Sequence, residues 1–184
     1  MNREEAIELL NKYILNERMK NHCYASEAVL RALAERLGRD KDRWGLAGLL
    51  HDIDVEITDA DPKRHALEAV PILEDAGMDD ESIEAIKLHN TEATGIPRSK
   101  EFHHALAAGE TITGLIVATT LVYPDKKLSS VKPKSVVKRM KQKAFAASVN
   151  RETILECEKI GIPLPEFAEL AVEAMREISD RLGL

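Results

Sequence analysis

The sequence has few cysteines and few aromatic residues, and each shortage excludes a class of protein. The two cysteines among 184 residues, Cys23 and Cys157, lie far apart and form no CxxC pair. Neither a disulfide framework nor a cysteine zinc site is therefore expected. Aromatic residues make up 4% of the chain, which argues against a protein that stacks nucleic-acid bases on an aromatic platform.

Long apolar runs are also missing from the sequence. No run approaches the roughly 18 apolar residues that a membrane-spanning helix needs. The first residues, MNREEAIELLNKY, carry acidic side chains where a signal peptide has a basic end and an apolar run. We therefore expect a cytoplasmic protein without a membrane partner.

Acidic side chains are absent from one segment of an otherwise acidic chain. The net charge of −6 argues against a nucleic-acid partner. Residues 126–143, however, hold eight basic residues and no acidic residue. We interpret this segment as a contact for substrate phosphates, through Lys134, Lys138 and Arg139, or as a cover that folds over the metal site. The alternative is a solvated basic face that pairs with the acidic surface. Binding to RNA is a third hypothesis, which the overall charge and the few aromatic residues oppose.

The residues that are present predict a helical protein. Hydrophobic residues make up 44% of the chain and charged residues 32%, as in a globular domain of this length. Apolar residues recur at steps of three and four almost throughout, first at Ile7, Leu10 and Ile14. We predict an all-α compact bundle, with a core over 1–123 and a C-terminal helical extension over 124–184 that packs on it as one globular unit.

Capping residues and turn formers predict the helix boundaries. One helix should end at Gly38, and another should begin at Asp61 and Pro62 and be kinked or split at Pro71. The stretch YPDKKLSSVKPK is the most linker-like in the chain. The expected helices include 21–37, 40–51, 62–77, 80–89 and 101–122, with two or three more after the linker, broken near Asn150 and at GIPLP.

Histidines are confined to one part of the chain. All six lie between positions 22 and 104, and the last 80 residues have none. His51 and Asp52 are adjacent where a helix is expected to end, so both side chains can reach one site. Imidazole and carboxylate groups that converge from several helices are the ligands of a hydrolytic metal site. His103 and His104 begin a helix in a polar context and are predicted to lie on the surface.

The order of these residues resembles the HD-domain superfamily of metal-dependent phosphohydrolases. The segment GLAGLLHDID is similar to the signature of that family, in which a run of leucines or alanines leads into His-Asp. The series over residues 15–123 resembles the members that hold two metals. The resemblance implies a first metal bound by His22, His51, Asp52 and Glu110. It implies a second bound by His65 and His89, with Asp52 bridging the two.

Two positions depart from the family pattern. The late acidic ligand is normally Asp, and Glu110 stands there instead. The glycine of an HDIG motif is replaced by Asp54, whose carboxylate either orients a histidine or lies exposed at a helix end. In the mechanism that the resemblance implies, Asp52 or Asp54 accepts the proton of the attacking water.

The sequence therefore predicts hydrolysis of a phosphoester or phosphoanhydride in a small phosphorylated compound, in the first instance a nucleotide. One or two divalent ions are expected as cofactors, and Fe, Mn, Co, Ni, Zn and Mg all stay open. The replacement at Glu110 motivates an alternative, a catalytically weak or inactive protein that binds a nucleotide as a sensor. The sequence predicts neither the exact substrate nor the oligomeric state.

Overall fold

The computed structural model describes all 184 residues and consists of helices and turns, which confirms the all-α fold class. Two short 3-10 helices span Leu128–Ser130 and Leu155–Ile160. No helix has the length and apolar character that crossing a membrane requires. The α-helices in chain order are α1 Arg3–Tyr13, α2 Glu17–Leu37, α3 Lys41–Leu50, α4 Ala69–Asp75, α5 Asp80–His89, α6 Thr91–Thr94, α7 Glu101–Leu121, α8 Pro133–Met140, α9 Arg151–Ile154, α10 Leu164–Glu177 and α11 Ser179–Leu182.

Side-chain caps fix the starts of the helices that carry the histidines. The side chain of Asn16 accepts hydrogen bonds from the first amides of α2, and that of Asp40 does the same for α3. Helix α2 ends at Gly38, which takes the left-handed conformation with φ of 67°, as its sequence predicts. Asp79 caps α5. Helices α3 and α5 therefore begin within a residue of their predicted starts, whereas α2 begins at Glu17, four residues before its predicted start at Asn21.

The two longest helices, α2 and α7, organise the core. Helix α2 packs against α3, α7 and α10, and α7 also packs against α5 and the second 3-10 helix. A single cluster of buried side chains joins Leu10, Leu30, Leu106 and Phe167. The helices after residue 124 therefore share their apolar core with the helices that carry the histidines.

The segment between α3 and α4 differs from its prediction. A helix is predicted from Pro62, but residues 51–68 form hydrogen-bonded turns, and regular helix begins only at Ala69. Ala66 has φ of 73°, in the left-handed region, which interrupts a right-handed helix. Pro71 neither kinks nor splits the helix. It lies in the first turn of α4, where a backbone amide has no partner within the helix.

The stretch predicted as a linker is packed instead. Leu128 and Val131 are fully buried. The Arg176 guanidinium donates hydrogen bonds to the backbone carbonyls of both residues, at 3.1 Å to Leu128. The linker prediction is therefore wrong, because its few apolar residues are used to anchor the segment on α10.

Candidate metal centre

The crossing of α2 and α3 brings the first two histidines together. A Cβ atom on Gly48 would lie 2.7 Å from the backbone oxygen of Ser26, so the two helix backbones touch at this glycine. His22 lies one turn before Ser26 on α2, and His51 follows α3 directly. The Nε2 atoms of His22 and His51 are 3.1 Å apart.

Asp52 completes a first group of ligand atoms. Its Oδ2 lies 3.5 Å from His22 Nε2, and its Oδ1 lies 3.3 Å from His51 Nε2. Both histidines and the carboxylate are buried or half-buried. The three side chains offer their ligand atoms within the reach of one metal ion.

A second group shares the same carboxylate. His65 comes from the turns after α3, and His89 is the last residue of α5. Their Nε2 atoms are 3.0 Å apart and lie 3.2 Å and 3.6 Å from Asp52 Oδ1, respectively. Asp52 therefore lies between two histidine pairs, the position of a bridging ligand.

The Nδ1 atom of each histidine has an acceptor, which fixes its neutral tautomer. His51 donates to the carbonyl of Gly48 at 2.9 Å, and His89 donates to that of Ile86 at 2.5 Å. His65 donates to the Asp54 carboxylate at 2.8 Å. With Nδ1 protonated, the Nε2 atom of each neutral ring carries a lone pair.

His22 reaches the same tautomer through a hydroxyl. The hydroxyl of Thr113 donates its proton to the carbonyl of Glu110 at 2.6 Å. Thr113 Oγ1 therefore accepts from His22 Nδ1, which is 3.0 Å away. Two pairs of Nε2 lone pairs then face each other at hydrogen-bonding distance around a carboxylate. The two nitrogens of each pair repel each other unless a cation or a proton lies between them. The residues therefore fit a centre of two metal ions.

Without a metal, these contacts shift the pKa values in opposite directions. Burial lowers the pKa of His51 to about 3. Burial also lowers that of His65, but the carboxylates of Asp52 and Asp54 outweigh it and raise the pKa to about 10. Burial raises the pKa of Asp52, yet the surrounding histidines hold it well below its usual value. Asp52 is thus a carboxylate ready to bind a cation.

Asp54, predicted as one of two candidate proton acceptors, is engaged by a ligand histidine and by the backbone. One of its oxygens accepts from His65 Nδ1, and the other accepts from the backbone amide of Ala69 at 3.0 Å. Its side chain is fully buried. Both oxygens have partners, and this geometry favours the predicted alternative in which Asp54 orients His65.

Glu110 lies beside the first group and outside it. Its Oε2 is 3.8 Å from His22 Nε2, and it belongs to neither set of converging ligand atoms. The hydroxyl of Thr111 donates to its Oε1. Burial raises the pKa of Glu110 above its ordinary value. The structure therefore brings Glu110 to the rim of the centre.

The structure does not bring the three predicted phosphate-binding residues to the centre. Lys134, Lys138 and Arg139 lie on α8, and the last two line a separate cavity beside Tyr123. Tyr123 lies just beyond the C-terminal end of α7. At a helix rise of about 1.5 Å per residue, it is about 20 Å from Glu110 along the helix axis. None of the three lines the cavity at the metal centre.

The surface prediction for His103 and His104 is wrong, since both are buried. His104 Nδ1 donates to the Glu156 carboxylate at 2.6 Å. His103 Nδ1 accepts from the backbone amides of Ser99 and Lys100 and so caps α7. Neither side chain points to the centre, because both are committed to these partners.

Sequence reasoning missed two residues that hold the ligand backbone. Arg98 donates to the backbone carbonyls of Leu88 and His89. Asn90 donates to the carbonyl of His65 at 2.9 Å and to that of Pro62 at 2.8 Å. In the sequence, the only indication of a role for Asn90 is its position directly after His89. Nothing in the sequence indicates a role for Arg98.

Comparison with protein families agrees with this geometry. The model of the family described as HD domain matches residues 19–119, a span that includes both ligand groups. No curated protein and no solved structure gives a significant match.

Proposed function

The chain belongs to the HD domain family, whose members are generally metal-dependent hydrolases, and we propose that it is a phosphohydrolase. Its reaction is the attack of water on a phosphoester or phosphoanhydride of a small phosphorylated compound, with nucleotides as the first class to test. Two reduced, buried cysteines suit the cytosol, where nucleotides are found.

The observation that carries this proposal is the convergence of four histidine Nε2 atoms on one carboxylate. His22 and His51 would hold one ion, His65 and His89 would hold the other, and Asp52 would bridge them. When bound, two such ions neutralise phosphate oxygens and lower the pKa of a coordinated water. Four imidazole ligands favour Fe, Mn, Co, Ni or Zn over Mg, which prefers oxygen ligands.

The chain itself positions the reactants. His22, His89 and Glu110 line a cavity that gives a phosphate access to both ligand groups. As water attacks phosphorus, the water gives up a proton, the new P–O bond forms, the bond to the leaving oxygen breaks, and the leaving oxygen takes up a proton in place of the one released. Asp54 and the backbone carbonyls of Gly48 and Ile86 keep the histidines fixed during this step.

Metal analysis beside a phosphatase screen tests the proposal. The purified protein should contain one or two ions per chain and should hydrolyse phosphate esters or anhydrides with Mn²⁺, Co²⁺, Ni²⁺ or Fe²⁺. Asp52→Asn should lose both, whereas Asp125→Asn, far from the centre in the 123–132 segment, should keep both. A folded wild-type protein with no bound metal and no activity under any of these ions would contradict the proposal.

The position of Glu110 favours a second candidate, a sensor that binds a nucleotide without turnover. Glu110 remains 3.8 Å from His22 and outside the converging ligand atoms. In that case nucleotides should raise the melting temperature while no phosphate is released. Glu110→Asp should then produce activity that the natural protein lacks. Turnover by the natural protein excludes the sensor.

A further inference from the structure

A cavity of about 340 Å³ opens onto the metal centre. On one side lie His22 and His89, one ligand from each group, together with Glu110. On the other side lies the segment 148–153 of the C-terminal extension, which we call the wall. A phosphate bound at the centre would therefore direct its leaving group toward the wall.

Two features hold the wall in place. The Arg151 guanidinium donates to the backbone carbonyls of Ala146 and Val149, both at 2.6 Å, and to that of Phe145. On α7, a Cβ atom at Gly114 would lie 3.3 Å from Val149 Cγ2, so the glycine allows the wall to approach. Gly114 is one turn after Glu110. The wall is thus a fixed surface beside the centre.

The wall offers uncharged hydrogen-bonding groups. The hydroxyls of Ser148 and Thr153 and the amide NH₂ of Asn150 form no hydrogen bond within the protein, since only the Asn150 oxygen is used to cap α9. Apart from the two ligand histidines, the cavity is lined by no aromatic side chain, and neither lysine nor arginine lines it. The cavity therefore has partners for hydroxyl groups and none for a second phosphate or a stacked base.

We infer that the wall recognises the leaving group, and that the substrate is a phosphomonoester of a hydroxyl-rich alcohol such as a sugar. This inference rests on the proposed function. Ser148 and Asn150 are exposed and Thr153 is half-buried, so hydroxyls of the substrate replace water on these groups, and an alcohol without hydroxyls gains none of these hydrogen bonds. A second phosphate would meet no cation beyond the two ions. A nucleoside monophosphate fits through its ribose, with the base outside.

A panel of four substrates tests the inference, each assayed with Mn²⁺ and Co²⁺. Ribose 5-phosphate and AMP should have a kcat/KM at least about tenfold above that of phenyl phosphate, whose leaving group lacks aliphatic hydroxyls. Equal values for ribose 5-phosphate and AMP identify the sugar as the recognised part. A preference for ADP or for phenyl phosphate overturns the inference and leaves the proposed function intact. No activity on any of the four overturns the inference, and it overturns the proposed function as well only when the protein also binds no metal and is inactive throughout the phosphatase screen.

Variants of the wall give the second measurement. Ser148→Ala with Thr153→Val should lower the ratio of kcat/KM for ribose 5-phosphate over phenyl phosphate by about 3- to 10-fold for each lost hydrogen bond. The phosphonate analogue of ribose 5-phosphate should bind more weakly by the same factor in calorimetry. Ala147→Ser, which changes an exposed neighbour outside the cavity, is the matched control. An unchanged ratio and affinity in the double variant contradict the inference.

Discussion

Arg98 donates a hydrogen bond of 2.9 Å to the backbone carbonyl of His89, which ends α5. The same guanidinium holds the Glu156 carboxylate with two bonds, at 2.9 Å and 2.6 Å. Glu156 lies in the C-terminal extension, which has no histidine. The extension therefore reaches the second ligand group through one half-buried ion pair.

This contact predicts a selective loss of metal. Arg98→Met should free the end of α5 and weaken metal binding by the His65 and His89 group by about 10- to 100-fold, as for other residues that orient ligands. Binding by the His22 and His51 group should change less. Metal content after dialysis against increasing concentrations of a chelator measures the affinity of both groups.

The matched control for Arg98 is an exposed ion pair. Arg39 pairs with Glu101 at 2.6 Å on the surface, away from the ligands. Arg39→Met should therefore leave metal content unchanged. Equal metal binding by Arg98→Met and the natural protein would show that the guanidinium has no part in positioning His89.

Asp54 gives a second prediction about ligand orientation. Asp54→Asn keeps the shape of the side chain but removes the charge that faces His65. We expect metal affinity at the second group to fall by about 10- to 100-fold. The pKa of His65 in the metal-free protein should fall from its raised value, because one of two carboxylates is neutralised. Titration by NMR measures the pKa, and an unchanged value would contradict this role for Asp54.

Metal binding should release a proton at neutral pH. The pKa of His65 is raised to about 10 in the metal-free protein, so below that pH a proton occupies the nitrogen that a metal needs. Affinity at the second group should therefore rise by about tenfold per pH unit up to about pH 10. His51, with a pKa of about 3, stays neutral and adds no proton.

Calorimetry in buffers of different ionisation enthalpy measures how many protons are released when the metal binds. The natural protein should release about one proton from His65 at pH 7.5, and Asp54→Asn should release less because its His65 is less basic. An identical heat of binding in every buffer would show that no proton is displaced.

The sequence predicted most helix limits because they depend on local chemistry. Asp40 and Asp79 cap α3 and α5, and Gly38 ends α2, each within a residue or two of the predicted boundary. The histidine series, read through the family resemblance, also named the four imidazoles and the carboxylate that the structure brings together.

What the sequence could not predict depends on distant contacts. The pattern after Asp61 favours a helix, but His65 must reach both Asp52 and Asp54, and the left-handed residue Ala66 turns the chain to allow it. Arg98 and Glu156 are 58 residues apart and belong to no periodic pattern. The same holds for His104. Its polar neighbours in the sequence favour the surface, but its partner, the half-buried Glu156, lies 52 residues away.

The helix crossing predicts opposite outcomes for two similar substitutions on α3. Gly48→Ala would place a methyl group 2.7 Å from the backbone oxygen of Ser26, and a backbone cannot move aside without separating α2 from α3. We expect a loss of about 1–3 kcal/mol in the free energy of unfolding, as for other overpacked sites. Because the crossing sets the distance between His22 and His51, metal affinity should fall as well.

Gly45→Ala is the matched control, one turn earlier on the same helix. Its methyl group would meet the side chain of Arg31, at 2.6 Å from Cγ. Arg31 can change its rotamer, at the cost of its exposed hydrogen bond to Asp42, whereas a backbone has no such freedom. Alanine also favours a helix interior by about 1 kcal/mol over glycine, so the net change in stability should be small or positive. Urea unfolding of the metal-free proteins separates the two variants. If both lose the same stability, the backbone contact at Gly48 does not set the crossing of α2 and α3.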